Sequence, residues 1–356
     1  MKKNIFYAAL AAMFVTSGIL HYSHASATTQ IIVCSIAIVL AAAFLGKATE
    51  SVAHYAGQRM GGFLNATFGN AAELIIAIFL VKEGLFEMVK ASITGSIIGN
   101  MLLVLGLSLL LGGLKFKVQR FNVMLAGHNA SLMLLAVIVL FIPAVFAREF
   151  TVEKTETFSL AVAGFLILAY LLWLLFSMVT HKNELADVIE AGNGQPSAHA
   201  HEEPAWSKRV SILFLFLATA MVAFVSEWLV GNLEDFSTRF GLSELFVGAF
   251  LIAIIGNAAE HSAAIFLAMK NKIGAAVEIA IGSSLQIALF VAPVLIFVSY
   301  FMGNTMDIVF TTYELVAIGV AAFITKSISR DGTTNWYEGV LLLLVYIILG
   351  IAFFMV

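Results

Sequence analysis

The sequence predicts an all-α membrane protein with 11 transmembrane helices: one N-terminal helix, then two inverted five-helix repeats (helices 2–6 and 7–11). Three observations predict it. The chain is 61% hydrophobic and 12% charged over 356 residues, too few charges to cover a soluble domain of that size. Apolar runs of about 20 residues, the length a bilayer core requires, recur from end to end. One pentapeptide also returns unchanged about halfway along, in a register that its neighbours share.

The runs lie near 5–20, 30–46, 63–81, 91–113, 123–146, 157–179, 210–230, 244–269, 275–301, 308–326 and 337–356. They are rich in Leu, Ala, Ile and Gly, long for strands, and the whole chain holds only four prolines. Helices satisfy their own backbone groups in lipid, so a helical bundle is expected. Residues 1–29 form an extra N-terminal helix. Lys2, Lys3, an apolar stretch and Ala25-Ser26-Ala27 also resemble a signal peptide, but with ten further spans a retained helix is the simpler reading. Residues 30–180 form the first repeat, 181–207 a polar cytoplasmic loop and 208–356 the second repeat. The loop carries Glu184, Asp187, Glu190, Glu202 and Glu203 with His199 and His201. It reads as a solvated linker, with a metal contact at the His-Ala-His-Glu-Glu stretch as the alternative and a short amphipathic helix over Glu184 to Glu190. The single cysteine, Cys34, falls inside a helix and has no internal disulfide partner. No basic stripe with interleaved aromatics points to nucleic acid.

Basic residues set the orientation. With the N-terminus in the cytoplasm, 14 of the 19 Lys and Arg fall on the cytoplasmic side. Only Lys82, Lys90, Arg148, Lys154 and Arg239 fall outside. That is the bias of the positive-inside rule, and it places the C-terminus outside the cell membrane.

The repeats come next. Gly69-Asn70-Ala71-Ala72-Glu73 recurs as Gly256-Asn257-Ala258-Ala259-Glu260, 187 residues on. Ala77-Ile78-Phe79-Leu80 matches Ala264-Ile265-Phe266-Leu267 at the same offset, and Gly95-Ser96 matches Gly282-Ser283. Five helices per repeat is an odd number, so the copies cross in opposite senses and meet at the midplane, where transporters of this kind bind substrate.

Glu73 and Glu260 sit inside apolar helices, where a carboxylate is costly unless it faces a polar cavity or a partner. Asn70 and Asn257 precede them by three positions, on the same helix face. Gly69 and Gly256 permit close helix approach or a loosened turn with free carbonyl oxygens. The following helices add Ser96, Gly99 and Asn100 in one repeat, and Ser283, Ser284 and Gln286 in the other. Gly99 stands opposite Gln286 in the ungapped register, so the symmetry fails there. Oxygen donors without cysteine suit a hard cation such as Ca2+; Mg2+ demands a tighter octahedron, and Mn2+ stays open. Glu50 and Glu227 lie on the first helix of each repeat, off the 187 register by an insertion or deletion. They read equally as steps on a proton or cation path and as helix-end interfacial charges. His261, beside Glu260, joins the path reading; Glu314 and His128 are weaker candidates, and Glu278 reads as interfacial.

Two close carboxylates in a poorly solvated site cannot both ionise cheaply. A divalent cation neutralises them, and so do two protons. If only the neutralised forms change access, one is exchanged for the other.

At these residues the sequence resembles the cation/proton exchanger (CAX) family of the Ca2+:cation antiporters, close to its bacterial members. The resemblance covers essentially the whole chain. It includes both Gly-Asn-Ala-Ala-Glu motifs, Gly57 to Gly62 leading into Leu64-Asn65-Ala66-Thr67, Gly282-Ser283-Ser284-Leu285-Gln286-Ile287, and Asn335-Trp336-Tyr337-Glu338-Gly339. It implies eleven helices, Ca2+ held between Glu73 and Glu260, proton uptake in exchange for extruded Ca2+, and no cofactor. It further implies that Asn70, Asn257, Ser96, Ser283 and Gln286 line the site, and it is compatible with a homotrimer.

The nearest alternative is a Na+/Ca2+ exchanger of the same superfamily, whose first motif resembles Gly-Thr-Ser-x-Pro-Glu; here neither motif contains Pro. An intramembrane enzyme would need a nucleophile with a base or a His-rich metal site, and neither pattern is present.

Overall fold

The computed structural model describes residues 2–181 and 204–356. The His-Ala-His-Glu-Glu stretch and the expected helix over Glu184 to Glu190 lie outside the described residues.

The helices are α1 (Lys2–Tyr22), α2 (Ala27–Phe68), α3 (Ala71–Lys82), α4 (Phe86–Phe116), α5 (Val123–Phe146) and α6 (Val152–Thr180). After the long loop come α7 (Lys208–Val230), α8 (Leu233–Phe240), α9 (Glu244–Ala268), α10 (Ile273–Phe301), α11 (Thr312–Ile328) and α12 (Trp336–Met355). Among the described residues, nine helices are long and apolar enough to cross a membrane. The expected third span, 63–81, is not one helix. Its first part continues α2 past Gly57, whose φ of 81° and ψ of 168° bend the chain sharply. Only glycine takes that conformation readily. The helix then breaks at Asn70, and α3 begins at Ala71. The expected tenth span, 308–326, starts later, at Thr312, where Thr311 and Glu314 form a capping box. The chain before it, Gly303 to Thr311, is non-helical, with Met306, Ile308 and Phe310 buried at alternate positions.

Backbone features repeat at the offset found in the sequence. Gly84 and Asn271, 187 apart, both take positive φ, 77° and 63°. The next residues, Leu85 and Lys272, have similar dihedrals and precede α4 and α10, which start in register at Phe86 and Ile273. A π-helical turn spans Gly99–Val104 in α4, and another spans Ile287–Val291 in α10, again in register. Glu50 and Glu227 lose the offset because ten more residues separate Glu227 from Gly248 than separate Glu50 from Gly61. The short helix α8 occupies that insertion.

Loop contacts sort the helix ends into two faces. On the face that carries most of the basic residues, Ser51 and Ser211 share a hydrogen bond of 2.8 Å, and the Tyr55 hydroxyl donates to the Trp206 carbonyl at 2.9 Å. Lys115 Nζ there donates to the Met269 carbonyl at 2.8 Å. Strand β1 (Val118–Arg120) pairs antiparallel with β2 (Thr333–Asn335), joining the two repeats. On the opposite face Lys82 pairs with Glu227 at 3.0 Å, Lys90 with Asp307 at 3.5 Å, and Asn232 Nδ2 donates to Gln30 Oε1 at 3.0 Å.

Packing differs between the two faces. The halves of α2 and α7 nearer the opposite face (Ile31 to Ile38, Val225 to Val230) belong to the main apolar core. Their halves nearer the basic face join a separate cluster with Ala71 and Ala72. The α4–α9 crossing is tight. A Cβ on Gly95 would collide with the Ala249 main chain, and one on Gly248 would lie 2.6 Å from the Met88 carbonyl oxygen. Small residues allow such backbone approach between helices that gain no hydrophobic drive from lipid. Gly95→Val is expected to cost about 3 kcal/mol or more, because main chain rather than a flexible side chain must move. Gly164→Val, on α6 with open space around it, should leave the melting temperature of the purified protein unchanged.

Candidate functional site

The site forms where the two pentapeptides meet. Each motif's glycine faces the other motif's glutamate. A Cβ on Gly69 would stand 3.3 Å from Glu260 Oε1, and one on Gly256 would stand 3.6 Å from Glu73 Cα. Glycine at both positions lets the broken α2–α3 element and α9 approach closely at the two motifs.

The two motifs share a sequence but not a local structure. Glu73 occupies the first turn of α3, just after the break at Asn70. The free N–H groups of that turn favour negative charge. Glu260 lies within an unbroken helical stretch, Ala253–Ala268, that follows a π-helical turn at Val247–Ile252. The loosened turn expected in both motifs is therefore present in the first alone. Glu73 is 6% exposed, whereas Glu260 is only partly buried.

Hydrogen bonds link both motifs to the helices that follow them. Asn257 Nδ2 donates to Ser96 Oγ and to the Ala253 carbonyl, both at 2.9 Å, and lies 3.4 Å from Glu73 Oε1. Ser283 Oγ donates to Glu260 Oε2 at 2.7 Å. Asn70 Nδ2 donates to Gln286 Oε1 at 2.6 Å. Gln286 replaces the glycine at the equivalent place in the first repeat, so Asn70 and Asn257 bond differently. Among the described residues, four buried polar atoms at or beside the site have no hydrogen-bond partner: Asn70 Oδ1, Glu73 Oε2 and both side-chain atoms of Asn100. Orphaned oxygens of this kind mark a place for an ion or water. Two carboxylates with amide and hydroxyl oxygens form a hard donor set. Among the described residues no group of three His, Cys, Asp or Glu converges.

Asn100 lies beside the site, and the other candidates lie apart or serve local structure. Asn100 is fully buried within the π-helical turn of α4, one turn from Ser96. Glu227 is half-exposed on the opposite face, held by Lys82. Glu50 is exposed on α2, seven residues before Gly57. His261 is buried with Nε2 unpaired. Glu314 is buried and caps α11 through the Thr311 N–H and hydroxyl. Sequence reasoning missed Lys82 as Glu227's partner and the Gly95–Gly248 crossing. The repeated Gly95-Ser96 pair was the available signal for the crossing.

The chain resembles known proteins over nearly its whole length. The profile of the family described as "Sodium/calcium exchanger protein" matches residues 26–179 and 210–355. The chain is 46% identical to the Ca2+/H+ antiporter ChaA of Bacillus subtilis (strain 168), over 99% of both chains. It is 45% identical to a Ca2+/H+ antiporter of Aphanothece halophytica, over 99% of this chain and 97% of the other. A solved structure, native YfkE, is 42% identical with a TM-score of 0.85 and covers 99% of this chain and 100% of its own.

Ser283→Ala removes the donor to Glu260 and leaves a carboxylate oxygen unpaired. A hydrogen bond to a charged group contributes about 1.5–3 kcal/mol, so divalent-cation affinity should fall roughly 10- to 100-fold in calorimetric titration with Ca2+. Ser262→Ala, which only removes a hydroxyl bonded to its own helix, should leave it unchanged.

Proposed function

Since the chain belongs to the sodium/calcium exchanger protein family, we propose that it is a Ca2+/H+ antiporter that extrudes cytosolic Ca2+ in exchange for protons. The observation that carries this reading is the reciprocal seat of Glu73 and Glu260, each against the other motif's glycine. The named Ca2+/H+ antiporters among its relatives support the proton-coupled reading over sodium exchange, as does the absence of Pro from both motifs.

Ca2+ is the substrate, held between Glu73 and Glu260. Asn70, Ser96, Asn257, Ser283 and Gln286 complete the lining, and Asn100 adds oxygen behind Glu73. With Ca2+ bound, or with both carboxylates protonated, the site carries little net charge. Left empty and ionised, it buries two repelling charges at several kcal/mol each. The loaded and protonated forms are therefore the ones that change access, which couples the two fluxes. This makes the chain a transporter rather than an enzyme, and no cofactor is required.

The layout we infer is eleven spans. The bent and broken segment from residue 58 to Lys82 makes one crossing, since its ends reach contacts on opposite faces. The 17-residue α11 makes another. The positive-inside rule makes the basic face cytoplasmic, with the N-terminus inside and the C-terminus outside a cell membrane. Residues 1–29, 30–180, 181–207 and 208–356 then form the extra helix, first inverted repeat, cytoplasmic loop and second repeat. A homo-oligomer, a trimer by family resemblance, is the proposed assembly. Gly95 and Gly248 bring α4 and α9 together on the face we assign as outer, where Lys82 also pairs with Glu227, and Glu260 is the less buried of the two carboxylates.

The test is Ca2+ flux in proteoliposomes. An imposed pH gradient should drive Ca2+ uphill, and a Na+ gradient at clamped pH should not. Glu73→Gln and Glu260→Gln should each abolish pH-driven uptake. Because protons and Ca2+ compete for the same oxygens, lowering the pH on the binding side should weaken apparent Ca2+ affinity. Either variant should flatten that dependence; full pH-driven uptake by either would refute the two-carboxylate mechanism.

A further inference from the structure

The two crossings that flank the site are related by the 187-residue register, but only one is closed. On the outer side Gly95 of α4 meets the Ala249 main chain of α9, and Gly248 meets Met88, Ala91 and Ser92. The register mates are Gly282 of α10 and Gly61 of α2. Gly282 is buried along its helix, yet a Cβ there would find nothing within 4 Å. The three atoms nearest a Cβ on Gly61 all belong to Ala53 of its own bent helix. A glycine in mid-helix costs stability relative to alanine, by about 1 kcal/mol. Here no close approach explains Gly282, whereas its mate Gly95 is explained completely.

We propose that Gly282 is kept bare to receive the segment that follows Gly57. In the state open to the outside, residues 58–68 swing about Gly57 and the break at Asn70 and pack on α10 at Gly282. The inner crossing would then take the geometry that the outer crossing has here, with position 62 as the register mate of Ala249. Gly282 is thus a positioning residue: it touches no substrate and acts by letting the inner side close. The two bends supply the hinge, and Glu260, next to Gly69, is the carboxylate this closure would cover. The proposal rests on the alternating-access reading of the site.

The discriminating experiment adds volume at Gly282. In the present conformer the space is open, so Gly282→Val should fold, keep its melting temperature, and bind Ca2+ from the inner side with parental affinity in calorimetric titration. It should fail to close. Overpacking a helix crossing lowers the closed population by roughly 5- to 150-fold, so pH-driven Ca2+ exchange should fall by about tenfold or more. Gly282→Ala should lose less than Gly282→Val. An inner-side cysteine reporter on residue 65, in a Cys34→Ala background, should label faster in Gly282→Val than in its parent. Exchange at the parental rate by both variants overturns the proposal. So does loss of Ca2+ binding in parallel with transport, which would mean damage to the site itself. Should Gly282→Val fail to fold, Gly282→Ala decides: parental exchange and labelling in that variant also overturn it. If the parent itself shows no pH-driven Ca2+ flux, the antiport reading fails instead, and the labelling comparison still reports on closure.

Discussion

Everything in this molecule is arranged around the cost of holding two carboxylates side by side where water is scarce. Glu73 and Glu260 lie in an apolar bundle, each pressed against a glycine of the other repeat. Water is replaced by a few fixed dipoles: Asn257 and Ser96 beside one carboxylate, Ser283 beside the other, and the open first turn of α3. These suffice for a neutralised site and fall short for an empty, doubly charged one. In the proposed antiport, that deficit would oppose the uncoupled return of an empty carrier.

The same constraint explains why small residues recur where they do. Ala71 and Ala72 of α3 pack within the separate cluster that α2 and α7 form nearer the basic face. Gly95 and Gly248 let two backbones touch on the outer side. Larger side chains would interlock and fix one arrangement. The contacts here are smooth and are fastened at the rim by an exposed ion pair, Lys82–Glu227, a kind that contributes about 1 kcal/mol or less.

Much of this was legible in the sequence, because a repeat is a statement about three-dimensional symmetry. The 187-residue register fixed the facing glutamates and their Asn and Ser neighbours. The matched turns at Gly84 and Asn271 and the matched π-helical turns, seen only in the structure, follow the same register. What escaped was conformational. Identical pentapeptides predict identical local structure, yet Asn70 ends a helix and Asn257 lies inside one. Local sequence does not choose between those states; the tertiary arrangement does. The third span was drawn as one helix for a related reason: the apolar run 63–81 carries no mark in hydropathy of the break at Asn70. The loss of register at Glu50 and Glu227 was visible, but its cause, the amphipathic helix α8, was not. Gln286 was flagged as the point where symmetry fails, and it is the residue that takes Asn70 away from Ser283.

The small sheet has a mechanical meaning beyond topology. Val118–Arg120 and Thr333–Asn335 come from different repeats, and their pairing stitches the inner ends of α4 and α12 together. Beside it, Gln119 Nε2 donates to the Ala268 carbonyl at the end of α9. In the proposed exchange of access, this stitched corner would hold α4, α9 and α12 together as the fixed part against which residues 58–68 move.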